Sequence, residues 1–268
     1  MNEDLRQDPA SLLDERALVA AMLHQEAALA QAQAALGLMA PNDAQSIVNT
    51  CKVDLFDVPH ILRESLLSQG SAEPVLIKSL RDSVRLFNPV AAEAVHRCSH
   101  PADLLSNALA LVTRDVLDWV GQDVHALASL PAAVDVCRAW AQVCSTAERA
   151  LCVQFTPVHL PATWPLADVR EQAAQTLGLA VASSEGTEAW MALGCALGVF
   201  TLCAQRVAPH TQAIHAPLWV AQWLTELSSH TLRPSDARDF WRAQWPLWST
   251  LVLSAARSAR EVRAVLKT

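Results

Sequence analysis

Apolar residues recur at three- and four-residue intervals along most of the chain, the spacing that gathers them on one side of an α-helix. Leu12, Val19, Met22, Leu23 and Ala27 make the first such stripe. It predicts a helix over 11–36, with Ser11 as N-cap and Asp14 and Glu15 in a first turn whose dipole favours acids. Gly37 is the expected stop. Shorter, proline-punctuated stretches follow. Pro41 opens a helix towards Phe56, Asp57-Val58-Pro59 opens one that Gly70 ends, Glu73-Pro74 one that reaches Leu86, and Asn88-Pro89 caps the next.

After Pro101 the periods lengthen. The pattern predicts helices over 102–128, 132–155, 166–177, 185–207, 216–227 and 236–266, with a proline-rich loop over 156–165 and Gly178 and Pro234-Ser235 as punctuation. The stretch 189–205 carries no charge between Glu188 and Arg206. It falls just short of a bilayer span and lacks aromatic belts and basic flanks, so it reads as the central helix of a bundle. Trp219 and Trp223, then Trp241, Trp245 and Trp248, fall at helical spacing, which suits core or subunit packing better than a ligand wall.

Composition agrees with helix. Of 268 residues 52 % are hydrophobic, Ala and Leu lead, glycine occurs 7 times and tyrosine never. These are good helix formers and poor strand formers. A net charge of −7 with scattered Lys and Arg excludes the basic face that tracks phosphates, so no nucleic-acid partner is expected. The acidic N-terminus lacks the features of a secretory leader. The seven cysteines include no CxxC pair, and Cys137, Cys144 and Cys152, like Cys195 and Cys203, recur at helical offsets. They read as small buried side chains in a reducing compartment, which points to the cytoplasm. No metal or cofactor is expected, because zinc-ligand spacings and glycine-rich phosphate loops are both absent.

Several segments resemble the 3-carboxy-cis,cis-muconate cycloisomerase branch of the fumarase/aspartase superfamily. The run MLHQEAALAQAQAALGLM resembles that branch's opening helix. LFDVPHILRESLLSQGSAEPVLIKSL resembles a family segment with Gly70 and Lys78 in register. His96 to Asp103 runs without a gap along the family's His-Trp-Gly-Ala-Thr-Ser-Gln-Asp, Val153-Gln154-Phe155 resembles its strand-like VQF, and RDFWRAQWPLWSTLVLSAARSAREV resembles a late core helix. The resemblance implies an all-α long-helix bundle over 101–268 with a small helical domain over 1–100. It also implies a lyase or cycloisomerase whose site gathers three segments from different subunits.

Those three segments are degenerate. Where the family has a hydroxyl pair, this chain has His100-Pro101, although His96 and Asp103 remain. Pro101 brings neither a hydroxyl nor a backbone donor. The His-x-Gln-x-Ala-x-Pro segment has no counterpart, since only Ser129-Leu130-Pro131 joins two long helices. The serine-bearing loop Gly-Ser-Ser-x-Met-Pro-x-Lys-x-Asn is missing too; VAPHTQAIHAPL stands in its place, and Ser183-Ser184-Glu185-Gly186 is a partial likeness only.

The residues that remain for chemistry are His96, His100 and Asp103, with Ser99 and Lys78 as contacts for a carboxylate. The imidazoles and Asp103 sit around a helix start and lack the common tetrahedral focus of a metal site. His210 and His215 fall in a loop. The favoured expectation is a non-catalytic relative that self-associates or pairs with a full-length paralogue, or holds a small polycarboxylate. Its rival is a divergent lyase or cycloisomerase acting on such a polycarboxylate, 3-carboxymuconate for example.

Overall fold

The computed structural model describes residues 8–67, 72–97, 99–156, 158, 164–181, 187–209, 216–229 and 245–267. Gly70, Cys98, the 183–186 string, His210, His215, Pro234-Ser235 and Trp241 lie outside them. The protein is all-α, as the periodicity predicts. Eleven α-helices are described: α1 Glu15–Ala35, α2 Pro41–Thr50, α3 Val58–Leu67, α4 Glu73–Arg85, α5 Pro89–Ala94, α6 Pro101–His125, α7 Val134–Ala150, α8 Leu166–Leu177, α9 Thr187–Val207, α10 Ala216–Ser229 and α11 Trp245–Lys267. Two short strands, β1 Cys152–Val153 and β2 Ala180–Val181, pair in parallel.

Most boundaries follow the punctuation in the sequence. Asn88 caps α5 by accepting from the Ala91 N–H, and Asp57 accepts from His60 N–H at the start of α3. Gly37 and Gly178 adopt φ of 71° and 63°. Each lets the next residue fold back on the helix end, Leu38 N–H to Gln33 and Leu179 N–H to Ala174. A side chain with a Cβ resists that left-handed backbone.

Three expected helices end or begin elsewhere. Asp8, not Ser11, is the first cap; it starts a 3₁₀ turn over Pro9–Leu12, and α1 begins only at Glu15. The helix expected over 41–56 breaks at Thr50, with a separate 3₁₀ turn at Val53–Leu55. The helix expected to reach 155 stops at Ala150, because the chain beyond it pairs with β2 and is then held by side chains of α6.

The described residues of the chain fall into two compact units, one drawn from Glu15–Leu111 and Leu151–Glu185, the other from Met1–Asp14, Val112–Ala150 and Gly186–Thr268. In the first, α1 packs on α2 and α8 and is buried on most sides, Leu18, Val19, Met22, Leu23 and Leu29 among apolar residues and Gln25, Glu26 and Gln33 among polar ones. Leu29 and Ala32 meet Phe155, Val169 and Ala173 in one cluster.

In the second unit α9 packs on α7, α10 and α11. Leu193, Leu197 and Phe200 are fully buried, and Trp140 meets the Phe200 ring edge-on at 5.2 Å. Trp248 is buried between Trp190 and Trp223, at 5.1 and 4.8 Å, and donates its indole N–H to the Thr113 hydroxyl at 2.9 Å. This is the packing expected of the tryptophans. Gly198 lets α10 approach: a Cβ there would lie 2.5 Å from Val220 Cγ2.

Helix α9 is long and apolar enough to cross a membrane on composition alone, and 44 % of its most apolar stretch is buried. Val199 and Leu202 face outward, so it is a core helix on one side only. The cysteines differ from expectation as well. Cys152 is buried, but Cys144 is exposed and Cys51, Cys137, Cys195 and Cys203 are half-buried. The inward stripe of α7 is Val136, Ala139, Val143 and Ala147, and Cys137 and Cys144 sit one residue past it, a turn of about 100° away.

Candidate functional site

The residues singled out in the sequence cluster around the start of α6. Pro101 occupies its first turn, where no backbone donor is required. His100 precedes it and is the cap: its Nδ1 accepts from Ala102 N–H at 3.1 Å and its carbonyl from Asp103 N–H at 3.0 Å. The imidazole nitrogen thus does what an Asn or Ser oxygen does at other helix starts.

Asp103 turns away from the helix end. Its carboxylate accepts from the backbone N–H of Thr156 and, at 3.0 Å, from the Thr156 hydroxyl. One turn along, Asn107 donates to the Gln154 carbonyl at 2.9 Å and accepts from the Gln154 N–H at 2.7 Å. From the other direction Arg170 of α8 donates to the Phe155 carbonyl at 3.0 Å. Residues 103 and 107 share a helix face, and together they read the extended 154–156 stretch as a neighbouring strand would. Burial pushes the Asp103 carboxyl up from its usual range, against the pull of the two Thr156 bonds and His100.

His96 lies in the turn between α5 and α6. It is the one non-glycine residue described with positive φ, at 57°. Its Nδ1 meets Glu26 Oε1 at 2.6 Å, with both side chains buried, at 6 % and 2 % exposure. Arg81 of α4 donates to the Val95 carbonyl at 3.3 Å, and Gln33 of α1 donates to the Arg97 carbonyl at 3.2 Å. Burial pulls the imidazole down, but the charge and hydrogen bond of Glu26, with the charge of Asp103, hold it above its ordinary value. His96 Nε2 and Ser99 Oγ are buried with no partner among the described residues.

Lys78 stands apart. It is exposed on α4 and pairs with Asp82 one turn along at 2.9 Å, a solvated surface contact. The fold therefore brings His96, Ser99, His100 and Asp103 to one turn and helix start and leaves Lys78 outside it. Among the described residues no three His, Cys, Asp or Glu are grouped to hold a metal ion.

Glu26 and Asn107 were not singled out from the sequence. Both carried a signal. Glu26 follows Val19, Met22 and Leu23 at seven, four and three residues, so it interrupts an apolar stripe with a carboxylate, and Asn107 lies one helical turn from Asp103.

The chain is 32 % identical over 117 residues to the 3-carboxy-cis,cis-muconate cycloisomerase of Pseudomonas putida, a match covering 44 % of this chain and 28 % of that enzyme. It is 36 % identical over 104 residues to the nitrosuccinate lyase of Streptomyces davaonensis, covering 38 % and 21 %. In sequence the chain is thus similar to 3-carboxy-cis,cis-muconate cycloisomerases and to a nitrosuccinate lyase, in line with the resemblance to the fumarase/aspartase superfamily. No protein-family model matches it. The likeness in fold extends over nearly the whole chain: the crystal structure of 3-carboxy-cis,cis-muconate lactonizing enzyme from Pseudomonas putida superposes with a TM-score of 0.80 at 17 % identity, covering 96 % of this chain and 73 % of that one. The cycloisomerase from Acinetobacter calcoaceticus gives 0.79 at 20 % identity, covering 97 % and 75 %. The matched sequence thus spans under a third of the curated relatives' length, while the helical scaffold is shared far more widely.

Proposed function

We propose that the chain is a non-catalytic relative of 3-carboxy-cis,cis-muconate cycloisomerase that works in the cytoplasm by assembly, with copies of itself or with a full-length paralogue. One observation carries the reading: the side chains left at the family's carboxylate-gripping segment are engaged in holding the chain together. His100 caps α6 and Asp103 is bonded to Thr156. Pro101 offers a bound carboxylate neither hydroxyl nor N–H. Proton abstraction beside a carboxylate needs a base and a grip on the developing charge, and a positioned base alone is worth ~10²–10⁴-fold. The missing serine-bearing string removes that base as well.

Assembly is supported by apolar surface on the unit built on α9. Val199 and Leu202 of α9 and Leu218 of α10 are exposed, as is Val265 of α11. Such residues scattered singly need no partner, but on packed neighbouring helices they make the kind of surface that a second subunit covers.

Two measurements on the purified chain test the proposal. Incubation with 3-carboxymuconate and fumaryl-type substrates is expected to give no rate above buffer. Sedimentation is expected to show a species larger than the monomer, alone or with the paralogue. A strict monomer that turns substrate over overturns it. A second reading, a divergent lyase or cycloisomerase on a small polycarboxylate, rests on the unpartnered His96 Nε2 and Ser99 Oγ beside Asp103. It requires turnover that disappears in a folded His100→Ala variant, and a melting temperature that rises with polycarboxylate concentration.

A further inference from the structure

The turn between α5 and α6 is built unlike the other described turns of its unit. Its central residue, His96, holds a left-handed backbone that a side chain resists, and the conformation is maintained by side chains from two other helices. Arg81 grips the carbonyl before it and Gln33 the carbonyl after it. Glu26 grips the ring itself at 2.6 Å. Glu26, Gln33 and His96 line one recess, closed by Ile47 and Ala94. The next helix start, with His100 and Asp103, follows within a few residues.

We propose that Glu26 and His96 form a proton-controlled latch that fixes this turn and, through it, the start of α6. The charged groups that face the pair are few. Glu26 on α1 carries the carboxylate, Cys51 after α2 lies near it, Arg81 on α4 is the neighbouring cation, and Asp103 on α6 is a second anion. Burial, and then the charge of Glu26, hold the Cys51 thiol well above its ordinary range, so it stays neutral and adds no second negative charge beside the carboxylate. With His96 protonated, the buried carboxylate has a cation in contact. With His96 neutral, Nδ1–H can still donate, but the ionic part of the contact is lost in a poorly solvated site. Because Nδ1 holds its proton in both states, the proton that comes and goes is on Nε2, which is buried with no partner among the described residues and so works against the charged form, as burial does, while Glu26 works for it.

The direction follows from the raised affinity of His96 for its proton. A group whose folded value lies above its unfolded one stabilises most fully at pH below the unfolded value. That contribution fades as pH climbs through the folded value. The latch is therefore closed on the acid side of the imidazole range and opens as the solution becomes alkaline.

The test uses the full chain. The His96 ring is titrated by NMR while amide exchange of residues 95–104, corrected for the intrinsic pH dependence, is followed over the same range. The expected result is a loss of protection of up to roughly tenfold per pH unit that sets in below the ring's own midpoint and is complete once the ring has titrated, with no matching change in α7. The step is expected to vanish in His96→Gln and in Glu26→Gln. Flat protection while the wild-type ring titrates overturns the proposal, and so does a step that persists in either variant. The wild-type comparison decides the matter even if a variant does not fold.

Discussion

The two units solve the problem of a helical interior in opposite ways. The unit built on α9 is filled by rings and aliphatic chains, with Trp248, Phe200, Leu193 and Leu197 fully or almost fully buried. Two of its buried hydroxyls bond within their own helices, Thr201 to the Leu197 carbonyl and Thr146 to the Gln142 carbonyl, a third, Thr113, accepts from Trp248, and its main buried charge is the Asp123–Arg263 pair. The unit built on α1 buries Gln25, Glu26, Gln33, Asp103 and Asn107. Gln33, Asp103 and Asn107 reach across to irregular backbone, at the 95–97 turn and the 154–156 stretch, and Glu26 to the His96 ring. Volume sets the packing in one unit; directed hydrogen bonds set backbone geometry in the other. A site that positions groups needs the second kind of interior.

Matched substitutions should separate the two most sharply. Trp248→Ala and Glu26→Ala are each expected to cost ~3–5 kcal/mol, the first by leaving a large cavity and the second by orphaning a buried imidazole. Milder replacements at the same two positions then diverge. Trp248→Phe keeps most of the buried ring and should recover about half of the loss. Glu26→Gln keeps the shape but not the charge and should recover little below neutral pH. Urea unfolding at pH 6 measures all four; equal recovery by Phe and Gln would mean that both interiors respond to volume alone.

A smaller effect probes the close approach of α9 and α10. Gly198→Ala puts a methyl 2.5 Å from Val220 Cγ2. Overpacking of this sort costs ~1–3 kcal/mol. Val220→Ala in the same chain should return most of it, because the clash is with that one side chain. A cost that survives the second change would point to a neighbour other than the Val220 methyl, because alanine is the better helix former at position 198.

How much of this was legible beforehand follows the same division. Helix identities and most ends were readable, since apolar period and punctuation by Pro, Asn and Gly are local signals: α8 matches its expected span of Leu166–Leu177 residue for residue. The end of α7 was not, because Ala150 is followed by residues whose partners, Asn107 and Ala180, lie far along the chain. The site was half-readable. The resemblance pointed to His96, His100 and Asp103, yet their work depends on Glu26 and Thr156, 70 residues before His96 and 53 after Asp103. Lys78 failed to join them because its register in the sequence says nothing of which way α4 turns it, and α4 turns it to solvent beside Asp82.

The smallest expected change concerns His100, and it bears most directly on function. As a cap, it contributes one hydrogen bond to Ala102 N–H, so His100→Ala should cost ~1 kcal/mol. His100→Asn should restore that stability, since Asn caps at least as well. The two readings of the protein then part. If His100 serves structure, the Asn variant is indistinguishable from the parent in melting temperature and in sedimentation. If it transfers protons, stability returns but turnover does not, because an amide cannot exchange a proton near neutral pH. Restored melting with unchanged assembly and no rate in either protein would place His100 with the clamp on 154–156, among the side chains that hold the helix start and not among those that meet a substrate.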